Sequence, residues 1–387
     1  MRILFDATPL QTGHRTRGVG TYTRELLRAL FTLDRRNTYR LLAYAEPADQ
    51  AAPRGVLTAA LGPLPENVEI VTLPQPRLGR LSGFVSHQLL LPALLARQPA
   101  DLFHSPGFVA AFSVPGVPWW AAHKLVVTLH DFIPLRVPAL FNDKALNRWW
   151  YARQMQIARR ADRLICVSEA TRQDALQVMH ANPARCVVVH EGVDHAVFFP
   201  AVQPAAEPPF ILFVGGAFAN KNRPVALAAF AEFCGALPAM PHRLVLVGQD
   251  DATDNELLRQ HPALDLRRVQ RLRHVSQDEL AQLYRDADLF LFPSTYEGFG
   301  LPVLEAMASG TPVITSTVSS LPEVAGDAAL LVHPQDVNQL TAAMVRVVSD
   351  RTLHTRLRAA GLARAQKFTW QRMAAATLAV YEAVATN

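Results

Sequence analysis

The chain is short of cysteine and has no long apolar run. Its three cysteines, Cys166, Cys186 and Cys234, are odd in number and widely spaced, which argues against a disulfide framework and against a thiolate zinc site. We therefore expect a reducing, cytoplasmic setting. Apolar stretches such as residues 89–96 are too short to span a bilayer, and residues 1–7 lack the long apolar core of a signal peptide.

Charge and lysine are also scarce. Only 18% of the 387 residues are charged, half are hydrophobic and the mean hydropathy is +0.09, so intrinsic disorder is excluded and large cores are expected. At about 150 residues per domain, two domains are predicted, or three. The formal charge of +5 permits anionic partners without requiring a nucleic acid. Arginine supplies most of the cations, because the only lysines are Lys124, Lys144, Lys221 and Lys367.

Short runs of Val, Ile, Leu and Phe alternate with helical patterns along the chain. This is typical of parallel strands that are buried on both faces and joined by crossover helices. We predict strands at residues 2–6, 39–45, 68–73, 102–105, 124–130, 163–168 and 186–190, and a second series at residues 210–215, 243–248, 268–271, 289–293, 312–315 and 329–332. The predicted fold class is α/β, with two Rossmann-like parallel-sheet domains facing each other across a cleft.

A proline-rich stretch, residues 199–209, separates the two series of strands and has no helical or alternating pattern. We interpret it as a stiff connector between domains. The predicted domains are residues 1–198 and residues 210–367, followed by a last helix within residues 368–387. That helix should run from about Trp370 to Val384 and could cap either domain.

The segment of residues 292–310 has the pattern of a strand, a loop and a helix. Pro302 occupies a position that the first helical turn tolerates, and Gly310 is placed to end the helix. Gly298 and Gly300 flank Phe299, so the backbone there can approach a ligand closely. The N–H groups and the dipole of such a helix start favour an anion. A diphosphate would fit this site.

Two carboxylates flank the predicted anion site, Glu297 in the loop and Glu305 in the helix. Carboxylates accept hydrogen bonds from sugar hydroxyls. Taken singly, Glu305 could simply complement the helix dipole and Glu297 could be solvated. Together with the neighbouring glycines and the apolar strand before them, the two carboxylates favour a functional site.

The spacing from Glu297 to Glu305, within Glu-Gly-Phe-Gly-Leu-Pro-x-Leu-Glu-Ala-Met-Ala-x-Gly, resembles the E-x7-E signature of the retaining glycosyltransferases of family 4. That family has the two-domain GT-B fold, in which the final helix crosses back onto the first domain. The resemblance runs along nearly the whole chain, and the segments His-Asp-Phe-Ile-Pro from His130 and Lys221-Asn222 look like those of bacterial mannosyl- and rhamnosyl-transferases. It also takes in Gly18, Gly20, His130, Asp131 and residues 167–169, 192–194, 215–222 and 368–370.

The resemblance implies a role for each matching residue on the donor side. Glu297 would hold hydroxyls of the donor sugar, and Glu305 would bind the nucleotide ribose. Lys221 would neutralise the diphosphate as its bond to the sugar breaks, since a fixed ammonium stabilises leaving-group charge. His130 would sit against the donor sugar. The other implied donor-binding residues are Gly18, Gly20, Gly215, Asn222, His274, Val275, Gly298, Phe299, Gly300 and Leu301.

Several candidates are weaker. An exposed loop lysine outside such a setting is usually just solvated, and His104, a candidate on the acceptor side, could equally be a hydrogen-bonded structural histidine. Asp286 and Asp288 spell D-x-D, the metal-binding signature of another transferase fold, but they lie between a helix and a buried strand. We interpret them as a helix-end feature. No other grouping has metal-ligand spacing.

The same resemblance implies the reaction and its partners. The donor would be a nucleotide-diphosphate sugar, which we expect to be GDP-mannose, and the transfer would retain the anomeric configuration without a metal or another cofactor. The acceptor would be a lipid-linked or saccharide hydroxyl in surface polysaccharide or glycolipid assembly. No nucleic acid partner is expected.

One position departs from the family pattern. Gly216 stands where many relatives carry an arginine, and Arg17 or Arg223 would have to replace that arginine in the phosphate clamp. A weakened site would make the chain a non-catalytic, nucleotide-sugar-binding partner of another transferase.

A third interpretation is an NAD-dependent dehydrogenase. Gly18 and Gly20 open a helix, and Glu46 ends the next strand at a distance suited to a ribose. Thr23 replaces the third glycine of that fingerprint, and the gap from Asp6 to Gly18 is too long for its tight turn. These departures make the dehydrogenase the least favoured interpretation.

The segment of residues 148–160 is basic and aromatic, and includes Trp149 and Trp150. It predicts either a peripheral contact with anionic lipid headgroups at the inner face of a membrane, or a helix with one buried aromatic face and one solvated arginine face. Its sequence favours neither interpretation.

Overall fold

A computed structural model describes residues 1–15, 18–45, 53–76, 78, 81–107, 116–137, 145–201, 208–216, 218–249 and 265–386. The chain divides into two compact units. The first comprises Met1–Pro134, Phe141–Glu191 and Trp370–Asn387, and the second consists mainly of Gly192–Thr369. The three cysteines are free and buried, so neither unit depends on a disulfide.

The sheet of the first unit has seven strands: β1 (Arg2–Asp6), β2 (Thr38–Tyr44), β3 (Val68–Leu73), β4 (Leu102–Ser105), β5 (Lys124–Leu129), β6 (Arg163–Cys166) and β7 (Cys186–Val188). Their order is β3-β2-β1-β4-β5-β6-β7 and all neighbours are parallel. The strands predicted for the first half of the chain are confirmed. The order reverses between β1 and β4, which opens a crevice at the carboxyl ends of those strands.

Helices cover this sheet. The first half of the chain forms Gly18–Leu33, Pro53–Leu61, Ser82–Val85, Leu91–Leu95, Ile133–Arg136, Ala145–Ala158 and Glu169–Gln177, with a π-helical turn at Ser86–Leu90. The predicted last helix is present as Trp370–Ala385 and packs on Gly18–Leu33 within the first unit. Its apolar residues Met373, Tyr381 and Val384 are buried, and this burial ties the helix to the first unit.

The sheet of the second unit has six parallel strands: β8 (Phe210–Val214), β9 (Arg243–Val247), β10 (Val269–Leu272), β11 (Leu289–Phe292), β12 (Val313–Ser316) and β13 (Leu330–Val332). The second predicted series is therefore also confirmed. The order β10-β9-β8-β11-β12-β13 reverses between β8 and β11. Among the described residues of this unit, the helices are Arg223–Ala236, Gln277–Asp286, Leu301–Ala308, Leu321–Ala325, Val337–Ser349 and Arg351–Ala365.

The boundary between the units differs from the one predicted. The second unit begins at Gly192, because the chain there already packs on elements of that unit. Val193 pairs with Thr369 in a parallel bridge, and the Phe198 ring lies 5.9 Å from the Tyr284 ring. Of the predicted connector, residues 202–207 lie outside the described residues.

Candidate active site

The helix start predicted after β11 is present. Gly300 lies immediately before the helix Leu301–Ala308 with φ of 120°, and a Cβ at Gly300 would lie 3.0 Å from the Leu321 Cδ2. Pro302 occupies the first turn, and Gly310 follows the helix with φ of 77°. Glycine is needed at both ends because other residues rarely adopt such angles. The strand–loop–helix prediction is therefore confirmed.

The crevice between β8 and β11 brings two predicted site residues together. The loop after β8 carries Lys221, whose Nζ lies 2.8 Å from the Oε1 of Glu297 in the loop after β11. The two side chains are only 19% and 9% exposed, and Nζ lies 4.8 Å from the centre of the Phe292 ring. Glu297 is thus ion-paired and not solvated. The sequence predicted both residues but not that they pair.

The residues around Lys221 fix its position. Asn222 adopts left-handed angles (φ 58°, ψ 40°) and donates its side-chain N–H to the carbonyl oxygen of Pro293, 3.0 Å away, and to that of Pro334. Asn222 therefore ties the β8 loop to the end of β11. A Cβ at Gly215 would lie 3.0 Å from the Lys221 Cγ, so glycine at that position lets the lysine stem lie along the strand end.

Glu305 faces the same crevice region from the helix. The Tyr284 hydroxyl donates to its Oε2 over 3.1 Å. Burial raises the pKa of Glu305 to about 7, against the hydrogen bond of Tyr284 and the positive charge of Lys221, which lower it. Glu305 lies beyond the first helical turn, so interaction with the helix dipole alone does not account for a carboxylate at this position. Whether ionised or protonated, the Glu305 carboxyl group keeps an oxygen that can accept a hydrogen bond from a ligand hydroxyl.

Two serines that the sequence analysis missed hold the Glu297 loop. The Glu297 N–H donates to the Ser319 Oγ over 2.9 Å, and the Ser319 hydroxyl donates to the Glu297 carbonyl oxygen. The Ser320 hydroxyl lies 3.0 Å from the same oxygen and 2.5 Å from the carbonyl oxygen of Phe299. The available signal was their place a few residues after β12, the strand beside β11.

The loop predicted to read a nucleobase follows β10. His274 is exposed and Val275 is half-buried. Ser276 caps the next helix, Gln277–Asp286, in a capping box with Glu279. The loop is thereby held at the carboxyl edge of the sheet with its backbone near the surface.

His130 lies at the end of β5 in the first unit. Its Nε2 is 2.7 Å from the carbonyl oxygen of Pro106, and its Nδ1 is 3.3 Å from the Oε1 of Glu191. Both neighbours accept hydrogen bonds, so both ring nitrogens donate and the charged imidazolium is favoured. Burial lowers the pKa of His130, but the hydrogen bond and the charge of Glu191 outweigh it and raise the pKa. Glu191, which follows β7, was not predicted as a site residue.

His104 is a structural residue, and this corrects its prediction as an acceptor contact. It is fully buried, with Nδ1 2.5 Å from the Tyr381 hydroxyl and Nε2 2.9 Å from the Thr128 hydroxyl. Burial lowers its pKa to about 3. Because both ring nitrogens are used and the ring has no exposed surface, His104 cannot contact an acceptor in this structure.

Gly18 and Gly20, in the first turn of the helix Gly18–Leu33, differ in their surroundings. A Cβ at Gly20 would lie 2.2 Å from the His14 carbonyl oxygen, whereas a Cβ at Gly18 would meet nothing within 4 Å. Gly20 is therefore needed for local packing, and Gly18 can be exposed to a ligand. Arg17, one candidate for the missing phosphate contact, lies outside the described residues.

Arg223, the other residue proposed to replace the missing arginine, has a hydrogen-bond partner. Arg223 is buried and donates its Nη1 to the carbonyl oxygen of Gln249 over 2.8 Å. Gly216 itself has room for a side chain, since a Cβ there would lie 3.6 Å from the nearest atom, in Phe218. In this structure Arg223 is thus engaged with the backbone at Gln249, and its role in a phosphate clamp stays a prediction.

The D-x-D sequence is a helix-end feature, as predicted. Asp286 is the last residue of the helix Gln277–Asp286, and Asp288 accepts hydrogen bonds from His242 and His354, each 3.1 Å away. Burial opposes these two hydrogen bonds, but they lower the pKa of Asp288. Within the described ranges, no three histidine, cysteine or acidic side chains come close enough to hold a metal ion.

Comparison with known proteins identifies the family. Residues 16–197 match the model of Glycosyltransferase Family 4, and residues 208–350 match that of Glycosyl transferases group 1. The chain is 32% identical to a D-inositol 3-phosphate glycosyltransferase of Kineococcus radiotolerans, over 78% of this chain and 76% of that protein. The chain belongs to glycosyltransferase family 4. It is also 27% identical to the O-antigen chain mannosyltransferase B of Escherichia coli, over 99% of this chain and 100% of the relative.

Solved structures support the fold of this family 4 glycosyltransferase. Anabaena Alr3699/HepE, solved with UDP and glucose, matches it with a TM-score of 0.68 and 16% identity, over 99% of this chain and 100% of the HepE chain. The predicted GT-B fold class is confirmed by this match and by the two parallel sheets. Among the helices of the described ranges, none is both long and apolar enough to cross a membrane.

Proposed function

We propose that this glycosyltransferase moves mannose from GDP-mannose to an acceptor hydroxyl, with retention of the anomeric configuration, in the assembly of a surface polysaccharide or glycolipid. The observation that carries the proposal is the fixed Lys221 ammonium beside Glu297 at the reversal point of the second sheet. The mannose donor and the polysaccharide acceptor are supported by the full-length similarity to an O-antigen mannosyltransferase.

Lys221 supplies the charge that the departing diphosphate needs. A nucleotide diphosphate gains negative charge as its bond to the sugar breaks, and a preorganised cation in a poorly hydrated site stabilises that charge strongly. The start of the helix Leu301–Ala308 lies in the same loop as Glu297 and adds the positive end of a helix dipole. The site thus combines a point charge and backbone donors for one diphosphate.

The bonds, the electron pair and the proton of the proposed transfer are all accounted for without a cofactor. The bond between the sugar C1 and the β-phosphate oxygen breaks with its electron pair on the phosphate, and the acceptor oxygen bonds C1 on the same face. The acceptor proton passes to the departing phosphate. Glu297 accepts hydrogen bonds from hydroxyls of the sugar, and Lys221 is the resident cation, so we propose transfer that needs no metal.

We propose the remaining donor contacts from the family resemblance, and the positions of the other residues support them. Glu305 binds the ribose hydroxyls, and the loop with His274 and Val275 contacts the base through its backbone. In the first unit, His130 is the proposed contact to the donor sugar, and its hydrogen bond to Glu191 holds the ring in place. UDP and glucose are present in the solved HepE structure, which supports a nucleotide-diphosphate sugar as the donor class.

Nucleotide binding tests the donor class. A ligand at about a hundredfold its dissociation constant should stabilise the protein by about 2.7 kcal/mol, so thermal melting with GDP, UDP, ADP, dTDP and NAD will rank them. We expect the largest shift with GDP. A shift with NAD alone would favour the dehydrogenase and refute the proposal.

Product analysis tests the reaction. Incubation with GDP-mannose and a mannose-containing acceptor should give an α-linked product by NMR, since the donor is α-linked. A β-linked product would contradict retention. If nucleotide binds but Lys221→Ala leaves function intact in cells, the chain is instead a non-catalytic binding partner of another transferase.

We also propose a cytoplasmic protein that contacts a membrane peripherally through its first unit. Three of the five tryptophans, Trp119, Trp120 and Trp149, are 54%, 45% and 56% exposed. Exposed tryptophan of this kind is typical of membrane interfaces. The helix Ala145–Ala158 buries Trp150 and exposes Trp149. It therefore has the buried aromatic face of one interpretation of the sequence, and also an outward tryptophan that suits the membrane contact of the other.

The exposed apolar residues belong to adjoining segments. The Gln88 side chain donates to the Val117 carbonyl oxygen over 2.9 Å and accepts from the Trp119 N–H over 3.1 Å. The Phe84 ring lies 5.6 Å from the Trp150 ring. We define the tryptophan surface as the exposed residues of these segments: Leu89, Trp119, Trp120, Leu146 and Trp149.

Charge identifies the partner of the tryptophan surface. The helix Ala145–Ala158 contains no acidic residue, and Arg148, Arg153, Arg159 and Arg160 on and just beyond it are exposed. Each arginine near an anionic membrane contributes about 1 kcal/mol of attraction. An anionic lipid surface is therefore the partner that fits both the apolar and the basic residues.

Vesicle binding tests this contact. The protein should sediment with vesicles of phosphatidylglycerol and phosphatidylcholine but not with phosphatidylcholine alone, with salt-sensitive binding and a blue shift of tryptophan emission. Trp119→Ser with Trp149→Ser should abolish binding, whereas Leu266→Ser, which removes a side chain 54% exposed in the second unit, should not. Absence of binding, or self-association that hides these tryptophans, would refute the proposal.

A further inference from the structure

We propose that Ser319 and Ser320 are positioning residues that hold the Glu297–Gly300 loop and aim the backbone N–H of Gly300 at the diphosphate of the donor. This inference rests on the proposed function, because it assigns a device to the same site. Neither serine lies in the loop that it would orient. Both follow β12, which is the neighbour of β11 in the sheet.

The hydroxyl protons match the carbonyl oxygens one to one. Ser319 donates its proton to the Glu297 carbonyl oxygen and accepts the Glu297 N–H with a lone pair. Ser320 is closest to the Phe299 carbonyl oxygen, at 2.5 Å, and lies 3.0 Å from that of Glu297. Two hydroxyls therefore hold two alternate carbonyl groups of the loop on the side of the serines.

Because the carbonyl groups are held, the geometry of the peptide bond also fixes the direction of the N–H group that follows. In a planar trans peptide, the C=O of one residue and the N–H of the next point in opposite directions. Holding the Phe299 carbonyl toward Ser320 thus turns the Gly300 N–H away from the serines, while the hydrogen bonds to Glu297 hold the start of the loop. The Gly300 N–H belongs to the residue that immediately precedes the helix Leu301–Ala308.

The backbone around both serines is adapted to this role. Ser319 has φ of 61°, an angle that few residues other than glycine adopt and that the surrounding contacts must maintain. Ser320 is fully buried, and the next residue, Leu321, packs against the Cα of Gly300 so closely that a Cβ would lie 3.0 Å from it. The serines and Leu321 therefore fix both the direction and the position of the loop.

The test separates the diphosphate from the nucleoside. Ser319→Gly removes one hydroxyl and suits the positive φ, Ser320→Ala removes the other, and Ser309→Ala is the matched control, since the Ser309 hydroxyl is buried without a partner among the described residues. Calorimetry with GDP and with guanosine should show GDP affinity lowered roughly tenfold or more in the first two variants. Guanosine affinity should stay unchanged, because its proposed contacts lie elsewhere in the site.

Kinetics and rescue add a second measurement. Loop misplacement should lower kcat for sugar transfer by up to about a hundredfold, and Ser320→Thr, which keeps a hydroxyl, should restore GDP affinity and part of kcat. The control Ser309→Ala should match the wild type in both.

The outcomes distinguish the inference from the proposed function. If the wild type binds no nucleoside diphosphate, the proposed function fails and the inference with it. If the wild type binds GDP but Ser319→Gly and Ser320→Ala bind it equally well, only the inference is refuted. An equal loss of GDP and guanosine affinity, with a lower melting temperature, would also refute it, because the serines would then merely support the fold.

Discussion

Replacing Glu305 by glutamine should stabilise the protein at alkaline pH while weakening its binding of nucleotide. Burial raises the pKa of this carboxyl from 4.5 to about 7, so the ionised form is less favourable in the folded protein than in the unfolded chain. Glutamine removes the charge and still offers an oxygen to the Tyr284 hydroxyl, which donates over 3.1 Å. The loss of a carboxylate acceptor should weaken ribose binding.

The sign and size follow from the two pKa values. An acid whose folded pKa is raised binds its proton more tightly when folded, so its contribution to stability is lost as the pH rises from 4.5 to about 7. The wild type should therefore be less stable than Glu305→Gln by about 1 kcal/mol at pH 5 and by about 3 kcal/mol at pH 8. The second figure is an upper bound, since Glu305 is partly exposed and water screens its charge.

Urea unfolding at pH 5 and pH 8 measures this difference directly. Glu232→Gln is the matched control, because Glu232 is an exposed carboxylate on another helix of the same unit. It should change the free energy of unfolding little at either pH. Equal stability of the wild type and Glu305→Gln at pH 8 would refute the argument that burial of this carboxylate is unfavourable.

Three further predictions concern packing and charge. Lys221→Met and Glu297→Gln should each destabilise the protein by about 2 kcal/mol because each leaves a buried partner unpaired; the double variant should regain most of this in urea unfolding, while its transfer rate stays about a hundredfold or more below the wild type. Glu191→Gln should lower the pKa of His130 in an NMR titration and remove the stability that His130 protonation gives below that pKa. Gly20→Ala should lower the melting temperature, since its Cβ would lie 2.2 Å from a backbone oxygen.

The fold was predictable from local pattern. Parallel strands buried on both faces leave uniform apolar runs, so all thirteen predicted strands appear in the two sheets. The start and end of the helix Leu301–Ala308 were equally predictable, because Pro302 and Gly310 act through their own backbone angles. The boundary between the units at Gly192 could not be predicted from local pattern, because it depends on the pairing of Val193 with Thr369, far along the chain.

The site was predictable only in part. Glu297, Glu305 and Lys221 were visible because they lie in a distinctive motif or in a loop where lysine is rare. Their partners were not visible, since Tyr284 and Ser319 meet them through the folded sheet and belong to no local pattern.

His104 shows the opposite error. Its sequence position at the end of a strand suggested a ligand contact, but the side chain points into the core and hydrogen-bonds there to Thr128 and Tyr381. A histidine at the end of a strand can be either a ligand contact or a buried structural residue. Only the packing of the last helix, which supplies Tyr381, separates them.

The Lys221–Glu297 ion pair leads to one more prediction, in which binding and turnover change in opposite directions. The ammonium is paired with the carboxylate 2.8 Å away, so a diphosphate must compete with Glu297 for it. Glu297→Gln removes that competitor and its repulsion of the diphosphate, and should bind GDP about tenfold more tightly by calorimetry. It should nevertheless turn over GDP-mannose more slowly, because the sugar hydroxyls lose their carboxylate acceptor. Weaker GDP binding by Glu297→Gln would mean that Glu297 chiefly holds Lys221 in place and does not compete with the donor.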